Sequence, residues 1–153
     1  MVKKYLLDTC IWRDFYEARS SKTGNPFGVH ATDLFMNILK NRDNILFSEA
    51  LAWELKKDYT EIEINDMLNL LVINKILIKL EISKKDHLEA KSLSQERNLP
   101  YIDCLNAVQA RNNSAVLVSQ DAHFFEKLSD IIKPVRPQDI SWTFYLIPAL
   151  ILS

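Results

Sequence analysis

Short apolar runs that alternate with segments of helical periodicity constrain this chain more than any other feature. Residues 3–8, KKYLLD, form a nearly continuous apolar stretch, and the pattern over residues 10–18 then puts Ile11, Phe15 and Ala18 on one helical face. Further strand-like runs occupy residues 45–48, the isoleucine-rich 75–82, 115–119 and a last one at 131–135. Parallel neighbours need crossover connections, usually helical, so this alternation predicts an α/β sandwich with a mainly parallel sheet flanked by helices. In open sheets of that kind ligands bind where loops leave the carboxyl ends of the strands.

The helix starts are chemically marked. Ser48 can cap a helix reaching about residue 59, on which Leu51, Leu55 and Tyr59 repeat at fourth positions. Thr60-x-x-Glu63 has the capping-box spacing, ahead of a stripe made by Ile64, Leu68 and Leu71. Ser83 caps a helix to about residue 98, Pro100 closes the loop before a helix over 101–112, and a short helix follows at 122–128. Residues 19–28 contain both glycines and Pro26 and read as a loop leading to a helix over 29–40.

A chain of 153 residues with 48% apolar content can bury one sizeable core but not two. The start, MVKKYLLDT, lacks the pattern of a signal peptide, which points to the cytoplasm. Cys10 and Cys104 have no metal-ligand spacing and read as plain buried thiols. A net charge of -1 supplies no global basic field, so attraction to nucleic acid must be local. Arg13, Arg19 and Lys22, which follow Asp8, are the candidates for phosphate contact. The apolar terminal segment is interrupted by Pro148 and is shorter than the roughly 20 residues of a bilayer span.

Four acids carry the chemistry. Asp8 ends the first run and Asp121 follows the fourth, so both can project into the crevice, although either alone could be a helix cap. Asp103 lies near the first turn of its helix, where the dipole also welcomes a carboxylate. Glu54 lies inside its helix, with Lys56 and Lys57 as alternative partners. Glu49 competes with Glu54 for the site, and at roughly 100° per residue the two point about 140° apart. The helix dipole explains Glu49 in the first turn; it does not explain Glu54. Carboxylates gathered in one crevice repel each other unless a cation neutralises them, and hard oxygen ligands suit Mg2+ or Mn2+. Such ions promote in-line attack on phosphate, which makes phosphodiester hydrolysis a natural activity. His30, His87 and His123 show no i, i+4 pairing, and His123, alone near the acids, reads as a helix-surface residue. Trp12, Phe15 and Tyr16 read as packing residues.

The segments YLLDT with Asp8, FSEALAWELKKD with Glu54, LPYIDCLNAVQA with Asp103 and VLVSQDAHF with Asp121 resemble the PIN-domain ribonucleases, particularly the VapC-like toxins. The resemblance covers residues 3–140, leaving 141–153 as an apolar tail. Its spacing of serine and glutamate selects Glu54 through Ser48. Cys10 stands where that family typically has asparagine, and His123 where many members carry another acid. The resemblance implies a five-stranded PIN sheet between helices and an Mg2+ pocket in which Mn2+ can substitute. It implies cleavage of RNA by the toxin of a type II toxin–antitoxin pair, with a cognate antitoxin and a homodimer as partners. Asp8, Asp103 and Asp121 would ligate the cation directly or through water, and Glu54 would ligate a second ion or orient the attacking water. Thr9 and Ser119 would support them. The alternative is a catalytically silent PIN-like module that binds RNA or protein.

Overall fold

The computed structural model describes residues 2–142, so all but the first two residues of the apolar tail at 141–153 lie outside the described residues. In chain order the elements are β1 (Lys4–Leu7), α1 (Thr9–Glu17), α2 (Phe27–Asn41), β2 (Asn44–Ser48), α3 (Glu49–Asp58), α4 (Glu61–Ile73) and β3 (Leu77–Leu80). They continue with α5 (Lys84–Arg97), α6 (Tyr101–Asn112), β4 (Val116–Val118), α7 (Ala122–Lys127) and a 3-10 turn at Pro137–Asp139. The sheet is parallel throughout, in the order β3-β2-β1-β4, with Tyr5 of β1 opposite Ile45 on one side and Val116 on the other.

Among the described residues the sheet has four strands rather than the expected five. The run at 131–135 contributes one bridge, in which Val135 N donates to Leu117 O at 2.9 Å and Ser119 N to Val135 O at 3.0 Å. Proline lacks the N–H that a ladder requires, and Pro134 and Pro137 flank Val135, so pairing stops after one residue.

Helices cover both faces, so the strands are buried on both sides and read as continuous apolar runs. Along β1 the side chains alternate: Tyr5 and Leu7 enter one core with Trp12, Phe35 and Leu51, while Leu6 enters the other with Leu105, Val108 and Phe124. Trp12 is fully buried, lies edge-on to Phe35 and Phe47 at 5.1 and 5.6 Å, and donates its indole N–H to Leu7 O at 3.2 Å. Truncating such a ring costs about 3–5 kcal/mol. The caps form as expected: Ser48 Oγ accepts from Leu51 N at 3.2 Å, Ser83 Oγ from Asp86 N at 3.1 Å, and both bonds of the Thr60–Glu63 box are made.

Between α1 and α2 the chain makes a hydrogen-bonded loop, with Ser21 N donating to Asn25 O and Gly24 N to Ser21 O. Its base is closed by Gly28 N donating to Arg19 O at 2.7 Å. A Cβ on Gly28 would stand 2.6 Å from the backbone of Ala18, so only glycine fits where the two helices converge. No helix of the described residues is long and apolar enough to cross a membrane.

Candidate active site

β1 leads to β2 on one side, whereas β4 returns to its other side, so the strand order reverses at the β1–β4 boundary. That switch point is where an open parallel sheet leaves a crevice. A cavity of about 190 Å³ opens there, lined by Asp8, Glu54, Asp103 and Asp121 together with Thr9, Cys10, Arg13 and Arg19. Glu49 instead lines a neighbouring cavity beside Lys79 and Glu81.

Asp8 forms the floor. It is 5% exposed and caps α1, its Oδ1 accepting from Thr9 N at 2.8 Å. Its Oδ2 accepts from Ser119 Oγ at 2.9 Å and from Cys10 Sγ at 3.3 Å. Burial pushes its pKa up to about 6, even though the Cys10, Ser119 and Thr9 donors pull it down. The Cys10 thiol thus makes a specific contact rather than merely filling space, and Asp8 both caps α1 and lines the cavity.

Ser119, fully buried just after β4, ties two acids together. Its hydroxyl donates to Asp8 and accepts from Asp121 N at 2.9 Å. Asp121 in turn caps α7, its Oδ1 accepting from His123 N at 2.9 Å. Asp103 comes from the first turn of α6, whose start at Pro100 has no side-chain cap. Its pKa is pushed up to about 7, by burial first and then by the charges of Asp8 and Asp121. A carboxylate so placed gains from any cation brought among these acids.

The basic residues are only partly assembled. Arg13 lines the cavity but pairs with Asp58 at 2.6 Å, and Arg19 pairs with Glu17 at 2.6 Å. Lys22 is exposed on the loop and does not line the cavity. His123 reaches inward rather than lying on the helix surface: its Nδ1 stands 3.5 Å from Asp103 Oδ2 and 3.8 Å from Asp121 Oδ1.

Two buried acids, Asp14 and Asp43, were not anticipated from the sequence. Asp14 is 4% exposed, and burial, opposed by Arg19 and reinforced by Asp8 and Glu17, raises its pKa to about 6. The signal was available, since Asp14 lies three residues after Ile11 and four before Ala18, on the stripe assigned to the core.

The residues fit a divalent cation. The carboxylates are hard donors, Asp103 and Asp121 have ligand atoms within 4.8 Å of each other, and His123 Nδ1 is buried with no hydrogen-bond partner. Asp8, Asp103, Asp121 and Glu54 all line this cavity.

Comparison with known proteins identifies the family and the fold. The PIN domain profile matches residues 5–130, a span that holds all four acids. A toxin–antitoxin complex from Klebsiella pneumoniae contains a chain with a TM-score of 0.60 at 18% identity, covering 89% of this chain and 99% of that one. VapBC2 from Rickettsia felis, bound to a DNA fragment from its promoter, gives 0.57 at 19% identity over 87% and 96% of the two chains. PAE2754 from Pyrobaculum aerophilum gives 0.51 at 16% identity over 90% and 93%. At these identities the likeness is one of fold, and no curated protein sequence matches significantly. The profile match, which covers most of the chain and its whole acidic pocket, makes this protein a member of the PIN domain family, whose members are generally nucleases.

Proposed function

We propose that the chain is a divalent-metal-dependent endoribonuclease, using Mg2+ or Mn2+, and the toxin of a toxin–antitoxin pair. The observation that carries this reading is the convergence of Asp8, Glu54, Asp103 and Asp121 in one cavity, where burial and then the neighbouring acids raise the Asp103 pKa to about 7. A bound cation would supply charge neutralisation for the scissile phosphate and a more acidic water.

The chain's own residues prepare that chemistry. Ser119 holds Asp8 and the Asp121 backbone in register, so the two acids cannot drift apart independently. Thr9 supports the floor, and Glu54 orients the attacking water. Arg13 and Arg19 stand at the rim with side chains 25% and 42% exposed, and can exchange Asp58 and Glu17 for RNA phosphates. Lys22, further out on the loop, contacts the flanking backbone.

An antitoxin partner is supported by solved structures of the same fold, two of which are toxin–antitoxin assemblies. In this reading the protein works in the cytoplasm as a homodimer, covering apolar side chains such as Ile62 and Ile73 of α4, which are 74% and 67% exposed. The deciding experiment incubates the protein with matched RNA and DNA oligonucleotides, with and without chelator, beside calorimetric titration of Mg2+ and Mn2+. RNA cleavage that chelator abolishes and either ion restores is expected. RNA binding with neither metal uptake nor cleavage would establish the silent module instead.

A further inference from the structure

We propose that His123, through Nδ1, is a metal ligand alongside Asp103 and Asp121, and that it sets the ion preference of the site toward Mn2+ and away from Mg2+. The inference deepens, and rests on, the reading of the acidic cavity as a metal site. Its basis is the turn that begins α7. Ser119 Oγ fixes Asp121 N, and Asp121 Oδ1 fixes His123 N, each at 2.9 Å. These two bonds fix the backbone of the turn from which the imidazole reaches Asp103 and Asp121.

The resulting geometry is poor for an ion pair and good for shared coordination. Charge-assisted hydrogen bonds close to about 2.7–2.9 Å. His123 Nδ1 remains 3.5 Å from Asp103 Oδ2 and 3.8 Å from Asp121 Oδ1. It is buried without a hydrogen-bond partner, although the side chain as a whole is 44% exposed. Donor atoms of these three residues lie within 4.8 Å of one another. For Nδ1 to offer its lone pair the ring proton sits on Nε2.

A nitrogen donor changes what the site selects. Mg2+ favours an octahedron of oxygens and gives up water reluctantly, so an imidazole in place of a carboxylate or water weakens it. Transition ions accept nitrogen more readily along the series from Mn2+ to Co2+. The neutral ring also leaves one negative charge fewer than an acid would at that position, which reduces the electrostatic advantage of a small hard ion.

The test uses the full chain and its His123→Gln and His123→Asp variants, with Mg2+, Mn2+ and Co2+ affinities measured by calorimetry. Pulsed electron paramagnetic resonance of bound Mn2+ supplies a readout independent of cleavage. The wild type is expected to show a nitrogen coupling from a histidine ligand. His123→Gln should lose that coupling and about tenfold in Mn2+ and Co2+ affinity, with Mg2+ affinity changed by less than about threefold. His123→Asp should shift the preference back toward Mg2+. Equal changes for all three ions, or Mn2+ bound by the wild type without nitrogen coupling, would overturn the role of His123 and leave the acidic site standing. A wild type that takes up none of the ions overturns both readings together.

Discussion

Two cavities open along the carboxyl edge of the sheet, and both contain acids. The one at β1 and β4 gathers Asp8, Glu54, Asp103 and Asp121 in about 190 Å³. The one at β2 and β3, about 280 Å³, contains Glu49 and Glu81. The second pair is exposed and shares its cavity with Lys79, so water screens its charge. In the first, Asp8 and Asp103 are withdrawn from water and crowded by neighbours, and their pKa values rise to about 6 and about 7. A strand-end acid is therefore not informative by itself. What distinguishes the site is burial and concentration of like charge at the place where the strand order reverses.

The contrast is broken most directly by neutralising acids in each cavity. Asp8→Asn, Asp103→Asn and Asp121→Asn are each expected to reduce RNA cleavage ~100-fold, and Glu54→Gln about tenfold. Glu49→Gln and Glu81→Gln should stay within about twofold of the parent. Initial rates under one metal and salt condition, with circular dichroism to verify folding, decide the point. A Glu49→Gln loss exceeding that of Glu54→Gln would move the site toward the second cavity.

Stability should separate the cavities next. Because the folded-state pKa values of Asp8 and Asp103 are raised from 3.8, the native state holds these protons more tightly than the unfolded chain does. Their favourable contribution is complete below about pH 4 and is lost as pH rises through about 6 to 7. Asp103→Asn should accordingly stabilise the metal-free protein at pH 8 by on the order of 2–4 kcal/mol and have little effect near pH 4. Glu49→Gln, in the exposed second cavity, should change stability by less than about 0.5 kcal/mol. Denaturant melts at the two pH values measure both, and an Asp103→Asn gain that is the same at pH 4 and pH 8 would refute the assignment.

The smallest expected difference lies at the rims. Arg19→Gln should weaken RNA binding several-fold and lower the salt dependence by about one phosphate contact. Lys22→Gln should do less, and Lys79→Gln, at the second cavity, nothing. Fluorescence anisotropy over a salt series reads all three.

Much of this arrangement was legible before folding because it depends on local chemistry. The Thr60–Glu63 box and the caps at Ser48 and Ser83 depend on spacings of a few residues, and each forms. Asp8 and Asp121 could be placed because they end apolar runs. What was not legible depends on contacts distant in sequence. Arg13 meets Asp58 from another helix. His123 reaches Asp103, which lies on another helix. The run at 131–135 does not become a fifth strand because ladder bonding needs the N–H that its prolines lack, whatever its apolar character.

Gly28 also divides this protein into parts that tolerate change differently. The chain leaves the body at Arg19 and rejoins it at Gly28, where one 2.7 Å bond and a contact that excludes any Cβ seal the neck. Everything beyond that neck makes its turn with its own hydrogen bonds, among them Asn25 N to Ser21 Oγ at 2.8 Å. Residues 20–25 can accordingly be exchanged as a cassette, lengthened or replaced, while the acids keep their positions. Grafted recognition sequences belong there, whereas a single methyl group at position 28 would shift α1 and the floor of the cavity with it.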